Sequence, residues 1–194
     1  MIDVLFVCTG NVCRSPFAAM LMNSRMNSSR VTARSAGIQA LYGAPLTVPM
    51  QRRLQERGVA DLPPHAARPL GDADIAEADL ILTMTRSQRR SVVERVPSRL
   101  RRVFTLREFA RLASGLDDEA LAALSDPGPG TAETRLVAAL DAVSAQRGLA
   151  RPHDGNDDDV IDPYERPETV YDLSVSQMTP AVEGTIRILR AVVM

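Results

Sequence analysis

The sequence predicts an α/β fold, a parallel sheet with helices over both faces, and three observations carry that expectation. A short apolar run rich in β-formers, 2–7, ends at Thr9-Gly10-Asn11, and a helical pattern begins immediately after it. Further short apolar runs alternate with helical stretches down the chain, the pattern of parallel strands joined by helical crossovers. The last stretch, 180–193, sets Val182, Ile186, Leu189 and Val193 on one stripe of a helix that can cover a sheet face.

Each element has its own signal. The run 2–7 reads as a buried first strand. Ser15-Pro16 reads as a helix cap followed by proline at the first helical position, with Phe17, Met20, Leu21 and Ser24 at helical spacing behind it. A second strand is expected over 31–34, closed by Ser35-Ala36-Gly37. A helix over 50–57 stops at Gly58, a residue suited to a C-terminal cap. Strands at 78–84 and 102–105 flank a helix at 86–95. The stretch 111–159 is out of step: Gly, Pro and Asp clusters surround an Ala-rich helical segment at 132–146. It reads as an insertion packed on the surface of a single domain spanning 1–194. No internal repeat is present.

Composition narrows the class. A chain of 194 residues with 45% apolar and 24% charged side chains suits a soluble enzyme. A net charge of −1 gives no reason to expect broad binding to nucleic acid. There is no apolar run of about 18 residues, so no membrane span is expected. The N-terminus has an acid where a signal peptide would carry bases, which makes the cytoplasm the default location and leaves export without a signal open. The only two cysteines, Cys8 and Cys13, lie five apart, too few for a disulfide framework and without the partners of a zinc site.

The chemistry concentrates in Cys8-Thr9-Gly10-Asn11-Val12-Cys13-Arg14-Ser15. An Arg stands at this distance from a Cys by chance about once in twenty cases, so the spacing alone decides little. Its placement between a strand and a helix decides more. Such a loop turns successive backbone N–H groups inward and makes an anion-binding nest at a helix N-terminus. Arg14 adds a planar fork for bidentate phosphate binding. Gly10 is expected to supply a backbone angle that a side chain would resist. The positive surroundings favour the Cys8 thiolate, a phosphorus nucleophile. A Walker-type nucleotide loop is disfavoured, because no Gly-Lys-Ser/Thr ending follows.

Cys-Thr-Gly-Asn-Val-Cys-Arg-Ser-Pro resembles the signature of the low-molecular-weight protein tyrosine phosphatases, in their bacterial type. The likeness continues through Ser35-Ala36-Gly37, His65 with Arg68, the run 78–84 and Asp162-Pro163-Tyr164. The resemblance implies a flavodoxin-like doubly wound sheet of about four parallel strands, with the active site at the carboxyl end of the first. It implies hydrolysis of phosphotyrosine on a protein through a cysteinyl phosphate, with no metal and no cofactor. The 111–159 stretch departs from it, being longer than the usual connection before the acid-bearing loop.

The resemblance also distributes roles. A leaving phenolate needs a proton, and the family takes it from an Asp-Pro-aromatic loop, which Asp162-Pro163-Tyr164 matches; Asp126-Pro127 and the run 157–159 are rivals. Asn11 shapes the loop, while Ser35 and His65 match its supports. Thr9, Gly10, Asn11, Val12, Cys13 and Ser15 surround the phosphate, and Ser15 is placed to donate to the Cys8 sulfur. Tyr164 is expected as one wall for the substrate ring, with Leu41 or Tyr42 opposite. Leu41, in Ala40-Leu41-Tyr42-Gly43, resembles bacterial members paired with tyrosine kinases of exopolysaccharide synthesis. A tyrosine-phosphorylated protein is thus the expected partner, such a kinase being one candidate. Cys13 is expected to trap oxidised Cys8 as a disulfide.

Three other functions use related loops. Arsenate reductases that relay a disulfide need cysteines after Cys13, and there are none; a variant served by a small thiol stays open. Protein-arginine phosphatases carry a threonine where this chain has Val12, which offers no hydroxyl to a guanidinium. A phosphotyrosine-binding module without activity would be expected to lose the nucleophile or the acid, and both are present.

Overall fold

The computed structural model describes residues 1–26, 28–125, 131–152, 154 and 157–193. Four parallel strands form one sheet: β1 (Ile2–Cys8), β2 (Val31–Gly37), β3 (Leu80–Thr83) and β4 (Val103–Thr105), in the order β2-β1-β3-β4. The chain leaves β1 towards β2 on one side and returns to β3 on the other. That reversal opens a crevice beyond the carboxyl end of β1, where the 8–15 loop lies. The expected flavodoxin-like sheet is therefore present.

Period-two alternation divides β1 between two cores. Ile2, Val4, Phe6 and Cys8 face the larger core, covered by α1 (Arg14–Met26), α5 (Leu106–Ala113) and α8 (Glu168–Val193). Leu5 and Val7 face the smaller one with Ile75, Ile81, Val92 and Val103, under α3 (Asp72–Glu77) and α4 (Arg86–Arg95). Among the described residues the other α-helices are α2 (Val48–Gln55), α6 (Asp118–Ser125) and α7 (Ala132–Ala145). Within 111–159, Leu136, Ala139, Leu140 and Val143 of α7 are buried in the larger core, against α5 and α8.

Several boundaries differ from the sequence reading. α1 begins at Arg14, so Ser15 lies inside its first turn and is not the cap. β2 runs on through Ser35-Ala36-Gly37 because all three pair with β1. Leu80 starts β3, since Ala78 ends α3, a helix the sequence reading lacked. α8 starts at Glu168 and passes through Pro180. Pro180 lies on the exposed face, where water can satisfy the carbonyl it leaves unpaired. Among the described residues no helix is long and apolar enough to cross a membrane.

Candidate active site

The loop from the end of β1 into α1 is curled around Asn11, which sits at φ 56°, a left-handed conformation Asn tolerates better than most. Asn11 is fully buried, and all its polar groups are engaged. Its N–H donates to Cys8 Sγ at 3.2 Å, and Nδ2 donates to Ser15 Oγ at 3.0 Å and Ser35 Oγ at 2.9 Å. Its Oδ1 accepts from the Arg68 N–H at 3.0 Å, and its carbonyl accepts from His65 Nε2 at 2.7 Å. A buried polar hub with every partner in place rigidifies what it joins.

The sequence reading gave Gly10 the unusual backbone angle; the structure gives it to Asn11. Among described glycines the positive φ values belong to Gly43 and Gly58. A Cβ on Gly10 would meet Val12 at 3.5 Å, an ordinary contact. The glycine this loop requires is Gly37 of β2, where a Cβ would stand 2.6 Å from the Thr9 carbonyl oxygen.

Cys8 ends β1, 2% exposed, with its Sγ 2.9 Å from Ser15 Oγ. With Cys8 as a thiolate the Ser15 hydroxyl donates to the sulfur, and the same hydroxyl also reaches the Ala36 carbonyl at 3.5 Å. Arg14 is buried, its Nη2 paired with Asp162 Oδ2 and its Nη1 donating to the Val160 carbonyl at 3.3 Å. Its Nε is buried with no hydrogen-bond partner among the described residues. Asp162 is half exposed, and its Oδ1 accepts from the Tyr164 N–H at 3.3 Å.

These groups meet in a cavity of about 220 Å³. Cys8, Thr9, Gly10, Val12, Cys13 and Arg14 form its floor; Leu41, Tyr164 and Asp162 form its sides. Asn11, Ser15, Ser35 and His65 stand behind the floor. Tyr42 is 84% exposed and lines no part of this cavity, so of the two residues proposed for that wall only Leu41 stands there. Among the rival acids, Asp126 lies outside the described residues. Asp158 pairs with Arg111 and Asp159 accepts from the Arg86 N–H, and neither lines the cavity.

Two contributors escaped the sequence reading. Gln39 lines the cavity, and its N–H donates to the Thr9 carbonyl at 3.0 Å. Gln88 donates from Nε2 to Thr9 Oγ1 at 3.1 Å, while its Oε1 accepts from the Thr85 N–H. Thr85-x-x-Gln88 is legible as a capping box at the start of α4; that the far side of the amide reaches Thr9 is a tertiary fact.

Cys13 is buried with its Sγ 3.4 Å from the Thr47 hydroxyl. Burial lifts its thiol from 9.0 to about 11, with the charges on Cys8 and Asp162 adding to the rise and the Thr47 hydroxyl opposing it. Among the described residues no group of three or more His, Cys, Asp or Glu is arranged to hold a metal ion.

A cysteine, an arginine and a carboxylate converging in one cavity at the carboxyl end of a parallel sheet, beside a helix N-terminus, define an α/β protein built to hold a tetrahedral oxyanion. Residues 3–150 match the model of the low molecular weight phosphotyrosine protein phosphatases, and the chain belongs to that family. The match stops before Asp162, whose place beside Arg14 rests on the geometry. The chain is similar to a protein-arginine-phosphatase of Geobacillus stearothermophilus, 35% identical over 67% of this chain and 81% of that one. It is also similar to a probable low molecular weight protein-tyrosine-phosphatase, EpsP, of Ralstonia solanacearum, 38% identical over 55% of this chain and 71% of that one. Among solved structures, the YwlE arginine phosphatase of G. stearothermophilus superposes with a TM-score of 0.68 at 26% identity, covering 98% and 94% of the two chains. A low molecular weight protein tyrosine phosphatase of T. tengcongensis gives 0.64 at 28% identity, covering 96% and 98%.

Proposed function

We propose that the protein works as one phosphatase domain that hydrolyses phosphotyrosine on proteins through a phosphate ester of Cys8. The observation that carries this reading is the meeting of Cys8, Arg14 and Asp162 in one cavity flanked by Leu41 and Tyr164. A phosphoryl group held over the loop accepts from its backbone amides and from Arg14, whose buried Nε–H has no other partner among the described residues. The Cys8 thiolate attacks phosphorus opposite the ester oxygen. As the S–P bond forms, the P–O bond breaks, and Asp162 in its acid form gives the tyrosine oxygen its proton. Asp162, now a carboxylate, then takes a proton from water as the water oxygen attacks phosphorus. The S–P bond breaks, inorganic phosphate leaves, and the Ser15 hydroxyl stabilises the departing sulfur. Leu41 and Tyr164 hold the tyrosine ring between them.

The partner this favours is a tyrosine-phosphorylated protein in the cytoplasm. Leu41 at the wall favours a bacterial tyrosine kinase as that partner. A second reading, hydrolysis of phosphoarginine, follows from the activity named for the similar arginine phosphatase of G. stearothermophilus. The buried Val12 argues against it, because it presents methyl groups where a guanidinium needs an acceptor. Rates on matched peptides carrying phosphotyrosine, phosphoserine or phosphoarginine separate the readings, with arsenate reduction by small thiols run in parallel. Phosphotyrosine is expected to lead in kcat/KM by about 10²-fold or more. A lead for phosphoarginine, or turnover of arsenate alone, contradicts the proposal.

A further inference from the structure

The stretch before Asp162 is unusually well fastened, and its strongest fastening lies at the neck of the long 112–157 excursion. Arg111, at the end of α5, meets Asp158 edge to edge: Nε donates to Oδ1 at 3.0 Å and Nη2 to Oδ2 at 2.9 Å. The Asp158 side chain is 10% exposed and that of Arg111 25%. The third arm of the guanidinium, Nη1, donates to the Ala150 carbonyl, so one side chain holds the excursion at two points. Around this pair the backbone is claimed residue by residue. The Asp158 carbonyl accepts from Thr105 Oγ1 at 2.6 Å, and the Asp159 carbonyl from Arg107 Nη1 at 2.8 Å. The Val160 N–H donates to the Met84 carbonyl at 2.8 Å, and the Ile161 N–H to Gln177 Oε1 at 2.9 Å. Asp162 comes next.

We infer that Arg111 and Asp158 are positioning residues for the reaction: their ion pair latches the neck of the excursion and sets where the Asp162 carboxyl stands over the cavity. The inference rests on Asp162 being the proton donor. Three physical points support it. Asp162 is half exposed and the neighbouring Ile161 is 40% exposed, so apart from its pairing with Arg14 and the Tyr164 N–H little packing at the acid itself fixes its place. Val160 is buried, but a side chain in a pocket sets depth better than direction along the chain. A bidentate pair with a nearly buried carboxylate fixes both distance and direction, and a guanidinium does this where an ammonium does not.

A misplaced acid has a kinetic signature distinct from lost stability. Without a well-placed proton donor, kcat/KM depends more steeply on the pKa of the leaving phenol, because poor leaving groups need the proton most. The experiment measures kcat/KM for a series of aryl phosphates with Arg111→Met, Arg111→Lys, Asp162→Asn and Leu136→Ala. The vanadate inhibition constant and Tm of each variant are measured alongside, at a temperature where each is folded. Leu136 is buried in α7, away from the acid, and its truncation lowers stability without touching the latch. Arg111→Met is expected to lose about 10–10²-fold on the most basic leaving groups and little on the most acidic. Its vanadate inhibition should stay within a few-fold of wild type. Arg111→Lys should fall between, and Leu136→Ala should lower Tm with the wild-type slope. If Asp162→Asn steepens the slope while Arg111→Met leaves it unchanged, the latch is wrong and the acid stands. A slope in Leu136→Ala as steep as in Arg111→Met reduces the pair to ordinary stability and overturns the inference. A wild-type slope in Asp162→Asn removes the acid assignment, and the latch falls with it.

Discussion

Cys8 and Cys13 share one loop but differ in setting, and that difference governs how the loop responds to oxidant. Trapping a sulfenic acid on Cys8 as a disulfide requires Cys13 to attack as a thiolate. With its thiol pushed up to about 11 by burial, Cys13 is ionised in only about one molecule in 10⁴ at pH 7. Disulfide formation after brief peroxide treatment is therefore expected to be slow at neutral pH and to rise about tenfold per pH unit towards 11. Mass spectrometry checks this by the ratio of Cys8–Cys13 disulfide to sulfinic acid on Cys8. A ratio that does not change between about pH 7 and pH 9 contradicts it. At this scale much was legible: Cys8, Arg14, Asn11, Ser35 and His65 stand where the motif placed them. Gly10 was misread because spacing reveals that a tight loop exists, not which residue takes the left-handed angle. Gly37 was read only as the close of a strand, and its need for an absent Cβ comes from Thr9 on the neighbouring loop.

Elements with strong local signals were placed well, and those decided by packing were not. α4 matches its expected range because Thr85 and Gln88 cap it and Val96-Pro97 ends it. α8 was begun twelve residues late because Pro180 looks like a first-turn proline, whereas packing of Tyr171, Val175 and Met178 carries the helix through it. α3 is six residues long and has one fully buried apolar side chain, Ile75, too little to show a period. Its Asp74 nevertheless ties β1, β2 and the segment before α3 together. Arg68 and Arg34 both pair with Asp74, and Arg34 also pairs with Asp3 of β1. Burial alone would raise the Asp74 carboxyl, but its bond from Arg68, the Gly71 N–H and the two positive charges outweigh it and hold it at about 2, below the usual 3.8. A carboxylate held low in the folded state stabilises it above the unfolded pKa. That contribution fades as pH falls from about 4 towards 2. Asp74→Asn is expected to cost on the order of 1–2 kcal/mol near neutrality and to flatten the fall of Tm with acid over that window. A mutant whose Tm falls as steeply as the wild type between about pH 4 and pH 2 contradicts this account of the network.

Across the whole molecule, the order β2-β1-β3-β4 places the crevice at the end of β1, and everything in the site is supplied to that point. α1 supplies Arg14, the segment after β2 supplies Leu41, and the loop before α8 supplies Asp162 and Tyr164. The parallel sheet was legible because strand and helix periods alternate so regularly. The path to Asp162 was not, because a long excursion looks alike in sequence whether it is latched at its neck or free. The central claim is that Cys8 carries the phosphoryl group between substrate and water. Rapid acid quench during turnover of a phosphotyrosine peptide, followed by mass spectrometry, tests it most directly. The account predicts one phosphoryl group on the peptide containing Cys8, absent in Cys8→Ala and lost when the unquenched enzyme is left to hydrolyse it. Full turnover without any phosphorylated Cys8, or a phosphoryl group on another side chain in the wild type, would contradict it.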